Sequence, residues 1–145
     1  MHKISNVTKN DLSNILYLLK KCNLDFKRDV SDLEKAQKIS DVFLVYKDEQ
    51  NIIGTARAIF DGYYCMVFDL AVDPKFRKCK VGTILMRETE NRLKKRGARY
   101  VFLNSSDKAV KFYKKIGYAK PKTNPMIKIL KIRERTTGEP PREIF

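Results

Sequence analysis

An apolar strand runs directly into a cationic turn and then into a helix between residues 68 and 86, FDLAVDPKFRKCKVGTILM. Pro74 ends the strand because proline has no backbone N–H for the ladder, and Asp73 is predicted to cap the turn. The turn holds four cations and is followed by one glycine: Lys75, Arg77, Lys78, Lys80 and Gly82. A helix N-terminus attracts anions by about 0.3–1 kcal/mol, and each charge-assisted hydrogen bond adds about 1.5–3 kcal/mol. The segment therefore predicts a site for a phosphate-bearing ligand, but it lacks the Walker pattern of nucleoside triphosphate hydrolases.

The positive charge of the chain is concentrated in one third of its length. The formal net charge is +14, and residues 74–122 hold 16 Lys and Arg against 3 Asp and Glu. Residues 1–73 hold 10 against 11. This asymmetry indicates a polyanionic ligand or partner. A solvated lysine-rich face is the alternative, and it accounts for runs such as RLKKRG but not for the asymmetry.

Length and composition favour one folded intracellular domain. The chain has 145 residues, 43% of them hydrophobic, with no apolar run long enough to cross a bilayer and no signal-peptide core at its start. Cys22, Cys65 and Cys79 are scattered and odd in number, which predicts reduced thiols and a cytoplasmic protein. His2 is the only histidine, so a histidine-based triad or a metal site is not expected.

The first half of the chain predicts a strand, two helices and an antiparallel meander. The strand covers residues 2–7, and each helix is opened by a capping box: Thr8 with Asp11, and Ser31 with Glu34. Two strands follow, and Asp61-Gly62 marks a hairpin into a third strand, YYCMVFDLAV.

The second half predicts two helices that alternate with strands. One helix runs from Gly82 to about Arg96, the strand RYVFLN follows, and Asp107 caps a second helix that ends at Gly117. MIKILKI, residues 126–132, alternates as a last strand. Together the elements predict an α+β fold with a partly parallel sheet.

Two motifs in this order resemble the hallmarks of the GCN5-related N-acetyltransferase (GNAT) family. DLAVDPKFRKCKVGTILM resembles the family's acetyl-CoA motif, Arg/Gln-x-x-Gly-x-Gly/Ala after a strand ending Val-x-Pro. KAVKFYKKIGY, residues 108–118, is similar to its second motif, a helix reading Ala-x-x-Phe-Tyr-x-x-x-Gly-Phe/Tyr. The resemblance covers about residues 40–120. It implies one N-acetyltransferase domain over residues 1–133, with a central mixed sheet of splayed strands flanked by helices, and an extended tail over residues 134–145.

The resemblance also implies that acetyl-CoA is the cosubstrate and that no metal is needed. It further implies where acetyl-CoA binds. The strands at residues 67–73 and 99–104 would splay apart, and the pantetheine arm would insert between them. The turn would wrap the pyrophosphate with its N–H groups. The implied contacts are Leu70, Ala71 and Val72 on the first strand, Arg77, Lys78, Cys79, Lys80, Val81, Gly82 and Thr83 in the turn, and Asn104 on the second strand.

Lys78 and Lys80 stand where the family favours glycine. If residue 80 has a left-handed backbone, its side chain costs about 1–2 kcal/mol, which is tens-fold in affinity at most. A lysine ammonium beside a pyrophosphate offsets this loss, and the related glucosamine-phosphate acetyltransferases also tolerate a non-glycine residue at the position matching Lys80.

Two residues are predicted to take part in the reaction. The resemblance gives Tyr113 the role of proton donor to the departing thiolate, after direct attack of an amine on the thioester. Asp69 is the one carboxylate in the middle of its strand, and with a raised pKa it would act as general base. The alternatives are a core aromatic for Tyr113, a structural carboxylate for Asp69, and for Asn104 a turn former.

The predicted function is transfer of an acetyl group from acetyl-CoA to a primary amine. Residues 1–73 are close to neutral, which favours a small neutral or anionic acceptor over a cationic protein tail. Two alternatives stay open, a catalytically inactive CoA-binding relative and a basic nucleic-acid-binding module. Such a module would need interleaved exposed aromatics, which the sequence does not indicate. A homodimer that pairs through residues 126–134 also stays open.

Overall fold

A five-stranded mixed sheet forms the centre of the first of two compact units, Met1–Asn104; the second unit is Ser105–Phe145. The structure, a computed structural model, describes residues 2–131. The strands are β1 (His2–Asn6), β2 (Val42–Asp48), β3 (Asn51–Phe60), β4 (Tyr64–Val72) and β5 (Tyr100–Phe102). They lie in chain order, antiparallel except for the parallel pair β4–β5. This confirms the predicted α+β class with a partly parallel sheet.

The helices begin close to their predicted positions, with two caps moved. They are α1 (Leu12–Lys21), α2 (Val30–Ile39), α3 (Val81–Lys95) and, in the second unit, α4 (Val110–Lys115). The Thr8 capping box is confirmed, because Asp11 Oδ2 accepts from the Thr8 backbone N–H at 2.9 Å. The predicted Ser31 box is wrong: Asp29 caps α2 by accepting from the Asp32 N–H at 3.1 Å.

The two faces of the sheet are covered by different helices. On one face the apolar stripe of α1, including Leu12, Ile15 and Leu19, packs with Phe43 and Val45 in a buried cluster. On the opposite face α3 buries Val81, Leu85 and Leu93. Strand residues alternate between faces, so Thr55 and Arg57 lie on the α1 side and Gly54 lies on the α3 side.

The N-terminus of α3 sits unusually close to β3. A β-carbon at Gly54 would lie 2.8 Å from Leu85 Cδ1 and 2.9 Å from Val81 Cγ1. Glycine at position 54 therefore allows the first turns of α3, and the cationic turn before them, to approach the sheet.

Strands β4 and β5 separate after a short paired stretch. Their register begins at Tyr64 with Tyr100 and ends at Met66 with Phe102, whereas β4 continues to Val72. The register of β4 with β3 also shifts near Arg57, and in this bulge Asp69 has a positive φ of 58°. The predicted splay of the two strands is confirmed.

In the second unit, α4 follows a short 3-10 turn, Asp107–Ala109, whose cap is Ser106 rather than the predicted Asp107. Gly117 has φ +102°, which confirms the predicted end of this helix. The strand predicted for residues 126–132 is wrong over residues 126–131, which have no strand. A strand needs a paired edge, and here Met126 and Leu130 stay 95% and 90% exposed. Ile132 and the tail at 134–145 lie outside the described residues.

Candidate active site

Asp73 fixes the start of the cationic turn. Its Oδ1 accepts from the Lys75 N–H at 3.0 Å, and its Oδ2 accepts from Lys21 Nζ at 2.8 Å. The Lys21 hydrogen bond is the largest cause of the lowered pKa of Asp73, against which burial acts. The Asp73 N–H also donates to the Ile53 carbonyl at 2.8 Å. The prediction that Asp73 caps the turn is confirmed, and the carboxylate also ties the turn to α1.

Lys80 adopts the left-handed conformation that normally favours glycine. Its φ is 61° and its ψ is 17°, and α3 begins at the next residue, Val81. No side chain among the described residues caps this helix end, so the N–H groups of its first turn point out of the helix without a side-chain acceptor. Residue 80 therefore has the left-handed backbone that favours glycine, although it carries a lysine side chain. The cost expected for a side chain at this position applies.

The cations of the turn are exposed around this helix end. Lys78 and Lys80 are exposed and form no ion pair with any residue between 2 and 131. Arg77 lies back along the strand end, where its Nε donates to the Val72 carbonyl at 3.3 Å. Cys79 is an exposed free thiol among them. The positive field of the turn is therefore available to an anion.

The remaining residues predicted to contact the cosubstrate lie on β4 and just after β5. Ala71 is buried and pairs with Thr55, whereas Leu70 and Val72 are half-buried. Asn104 follows β5 as an exposed residue. The residues from Leu70 to Thr83 thus form one continuous strand end and turn, and Asn104 lies two residues beyond the end of β5.

Asp69 is held between two arginines. Arg28 donates to both carboxylate oxygens, at 2.9 and 2.8 Å, and Arg57 Nε donates to Oδ2 at 2.9 Å. Burial raises the pKa of Asp69, but the hydrogen bonds and charges of the two arginines outweigh it and leave the pKa below its usual value. The expected raised pKa is wrong, so the physical basis for Asp69 as general base is lost.

Arg28 belongs to a strained segment between α1 and α2. Asn23, Phe26 and Lys27 all have positive φ, at 57°, 49° and 62°, a conformation that bulky residues rarely adopt. Arg28 holds the segment closed, because its Nε donates to the Asp25 carbonyl and its Nη2 to the Leu24 carbonyl, at 2.9 and 2.7 Å.

Neither Arg28 nor Arg57 was predicted from the sequence as a site residue. Arg57 did carry a signal, because it is the only charged residue in the strand NIIGTARAIF, and a charge in a buried strand requires a partner. Asp69 on the next strand is the matching charge. Arg28 carried no comparable signal, since a loop arginine is ordinary.

Tyr113 lies in the second unit, on α4. Its ring makes edge-on contacts with Phe112 and Tyr118, with centroid distances of 5.1 and 5.7 Å. Burial raises the pKa of the Tyr113 hydroxyl, so the group keeps its proton at neutral pH.

Four exposed aromatic rings cluster at the start of β4 and β5: Tyr63, Tyr64, Tyr100 and Phe102. They are between 39% and 54% exposed, and the Tyr63–Tyr64 and Tyr64–Phe102 centroids lie 4.8 and 5.4 Å apart. The rings come from segments far apart in the sequence, so their grouping appears only in the fold.

Two further features bear on the class of site. Between residues 2 and 131, no group of three or more His, Cys, Asp or Glu side chains could hold a metal ion. In the same part of the chain, no helix combines the length and apolarity needed to cross a membrane.

Known proteins share this sequence pattern and fold. The chain is 28% identical over 95 residues to GCN5-related N-acetyltransferase 1, chloroplastic, from Arabidopsis thaliana, which is 63% of this chain and 48% of that protein. The chain thus spans about half the length of that curated relative.

Two solved structures have a similar fold. One is a probable acetyltransferase of unknown function from meticillin-resistant Staphylococcus aureus, with a TM-score of 0.78, 21% identity, and coverage of 89% of this chain and 99% of that chain. The other is glucosamine-6-phosphate N-acetyltransferase from Arabidopsis thaliana, with a TM-score of 0.76, 20% identity, and coverage of 90% and 99%.

The family model described as the acetyltransferase (GNAT) family matches residues 12–118. This span includes the cationic turn, the separated strands and the helix that carries Tyr113. The chain therefore belongs to the acetyltransferase (GNAT) family, a family of acyltransferases that typically use acetyl-CoA.

Proposed function

We propose that this protein is an N-acetyltransferase that moves an acetyl group from acetyl-CoA to a primary amine of a small molecule. One observation carries the proposal. The left-handed turn at Lys80 opens α3 with free N–H groups, directly after the stretch of β4 that has lost its pairing with β5. A helix end that binds anions thus follows a strand with an unpaired edge, as a ligand with a pyrophosphate and an amide-rich arm requires.

The residues present fit such a cosubstrate. The N–H groups from Arg77 to Thr83 would hold the pyrophosphate, and the exposed ammonium groups of Lys78 and Lys80 would supply charge where glycine is missing. The backbone of Leu70, Ala71 and Val72, with the side chain of Asn104, would hold the pantetheine arm and the acetyl carbonyl. No metal has a role in this proposal.

The reaction proceeds by direct transfer. The neutral amine nitrogen attacks the thioester carbonyl carbon, a C–N bond forms and the C–S bond breaks. The departing sulfur takes a proton from the hydroxyl of Tyr113. The amine gives up one proton to solvent, and Tyr113 regains its proton from solvent. We assign the acid to Tyr113 on its place in the second motif, and we assign no base role to Asp69.

The near-neutral charge of residues 1–73 supports a small acceptor rather than a cationic protein tail. The free cysteines Cys22, Cys65 and Cys79 support a reducing compartment, and we place the enzyme in the cytoplasm. A homodimer remains a prediction from the apolar residues 126–131.

Calorimetric titration with acetyl-CoA, with dephospho-CoA in parallel, tests the proposal. We expect micromolar binding that weakens without the 3′-phosphate, and thiol release when a suitable amine is added. Binding without thiol release for any amine would point to the CoA-binding, inactive alternative. Absence of binding would overturn the proposed function.

A basic nucleic-acid-binding surface is the second candidate, and the exposed rings of Tyr63, Tyr64, Tyr100 and Phe102 favour it, because aromatic rings on a sheet can stack bases. Fluorescence anisotropy with a single-stranded oligonucleotide at two salt concentrations tests it. Oligonucleotide binding that depends steeply on salt and is lost in Tyr100→Ala would support this candidate. The candidate would be excluded if the protein bound acetyl-CoA but did not bind the oligonucleotide.

A further inference from the structure

Three charged side chains meet where the bulge of β4 faces the segment between α1 and α2. Arg28 and Arg57 both donate to Asp69, and the exposed fractions of the three side chains are 21%, 10% and 5%. Two guanidinium groups therefore share one carboxylate. The cluster carries one uncompensated positive charge in a place that is mostly shielded from water, where a charge is costly without a partner.

The cluster also has unused hydrogen-bond donors. A guanidinium has five N–H groups. Arg57 uses Nε for Asp69 and one hydrogen of Nη1 for Ser40 Oγ at 3.2 Å, whereas Nη2 donates to no residue between 2 and 131. The ring of Phe68 lies 4.8 Å from Cζ and covers one face of the group. Buried donors are nearly always paired, so the Nη2 group of Arg57 is available to an acceptor.

The position of the cluster connects it to the proposed reaction. Asp69 directly precedes Leu70, which the proposed function places at the acetyl carbonyl. Arg28 is the most exposed of the three side chains and comes from the segment at residues 22–29. An anionic group bound against the arginines would therefore lie beside the strand position that precedes the proposed acetyl site.

We propose that the acceptor is a small amine that carries a carboxylate, that Arg57 binds this carboxylate, and that Arg28 contributes positive charge beside it. The inference rests on the proposed function. The planar guanidinium edge matches a carboxylate with two parallel hydrogen bonds. One carboxylate neutralises the excess charge of the cluster, whereas a phosphate monoester, with a charge of about −1.5 to −2 at neutral pH, exceeds it. Amino acids and other aminocarboxylates are the resulting acceptor class.

The test compares three kinds of acceptor on the full chain. Thiol release from acetyl-CoA is measured with a mixture of the twenty common amino acids, with a mixture of their α-amides, and with glucosamine 6-phosphate. The amides keep each amine and side chain but lack the α-carboxylate. We expect release with the amino acids at least about tenfold faster than with the other two probes, the size of one charge-assisted hydrogen bond.

Variants identify the residue responsible. Arg57→Gln should raise KM for the amino acid about tenfold and leave KM for acetyl-CoA unchanged, and Arg57→Lys should give a smaller increase because it keeps the charge without the fork. Arg87→Gln is the matched control, since Arg87 is exposed on α3, and it should change neither constant. If Arg57→Gln does not fold, the rates of thiol release by the wild-type protein with amino acids and with their α-amides decide whether the α-carboxylate is bound.

The outcomes separate the two proposals. Equal rates with acids and amides, or faster release with the phosphate, would overturn the carboxylate inference and leave the acetyltransferase intact. Acetyl-CoA binding without release on any amino acid would also overturn the inference alone. No acetyl-CoA binding would overturn the proposed function and the inference with it.

Discussion

Gly54 of β3 and Leu85 of α3 are packed so closely that a β-carbon at position 54 would stand 2.8 Å from Leu85 Cδ1. Leu85 is fully buried, so it cannot move aside into solvent. The distance between sheet and helix therefore sets the position of the N-terminus of α3 and of the cationic turn before it. This makes a glycine outside the turn part of the proposed cosubstrate site.

Gly54→Ala should destabilise the protein and weaken acetyl-CoA binding together. Overpacking of this kind costs about 1–3 kcal/mol, and displacement of α3 moves the turn. Thermal unfolding and calorimetry measure the two effects. Gly97→Ala is the control: its φ of +94° is unfavourable for alanine, yet a β-carbon there meets nothing within 4 Å. It should lower stability but leave acetyl-CoA affinity unchanged. Equal affinity losses in both variants would contradict this role of Gly54.

Substitutions of Lys80 should separate backbone strain from charge. Lys80→Gly relieves the positive φ and should raise the free energy of unfolding by about 1 kcal/mol, whereas Lys80→Ala keeps the strain and should not. Both variants lose the ammonium, so both should bind acetyl-CoA more weakly and with a shallower salt dependence. Urea unfolding and calorimetry at two salt concentrations provide the measurements. Unchanged affinity in Lys80→Ala would show that the lysine charge does not meet the pyrophosphate.

Asp69 should contribute stability that is lost in acid. Its folded-state pKa lies below the ordinary value of 3.8, so its contribution is present above pH 3.8 and is lost as the pH falls through the lower folded-state pKa. In Asp69→Asn the two arginines lose their counterion, at a cost of about 3–5 kcal/mol near neutral pH. Stability of the variant should therefore depend less on pH below about 5.

Urea unfolding from neutral pH down to acid pH tests this, with Asp107→Asn as a control on an exposed carboxylate. If Asp69→Asn does not fold, carbon NMR titration of the wild-type Asp69 carboxyl gives the pKa directly. A value above 3.8 would contradict the ion-pair account.

Tyr113→Phe should lower kcat with little change in KM for acetyl-CoA. Loss of a general acid typically costs about 10²–10⁴-fold in rate. Tyr118→Phe, which alters the neighbouring ring in edge-on contact with Tyr113, is the matched control and should keep most of the activity. Full activity in Tyr113→Phe would leave this tyrosine a core aromatic and require another proton donor.

The sequence predicts much of the fold because local signals and tertiary packing agree there. The Thr8 box, the hairpin at Asp61-Gly62 and the helix end at Gly117 depend on nearby atoms, and all three are confirmed. The α2 cap was misplaced by two residues because Asp29 and Ser31 have similar capping ability. The last strand was predicted from alternation alone, and alternation does not provide a partner edge.

The candidate site was predictable only where it is continuous in sequence. The turn from Asp73 to Thr83 is one segment, so its cations and helix end could be read together. The ion-pair cluster joins residues 28, 57 and 69 across 41 positions, and its effect on the pKa of Asp69 depends on which groups meet in space. Burial alone suggested a raised pKa for Asp69, but the two arginines lower this pKa below its usual value.

The bidentate ion pair between Arg28 and Asp69 affects which part of the protein unfolds first. Asn23, Phe26 and Lys27, which precede Arg28, have unfavourable positive φ angles. The bidentate ion pair between Arg28 and Asp69 therefore holds the segment at 22–29 in a strained backbone conformation. When the ion pair between Arg28 and Asp69 breaks, the backbone strain of the segment at 22–29 is released. Local unfolding should therefore begin at this segment, well before the sheet opens.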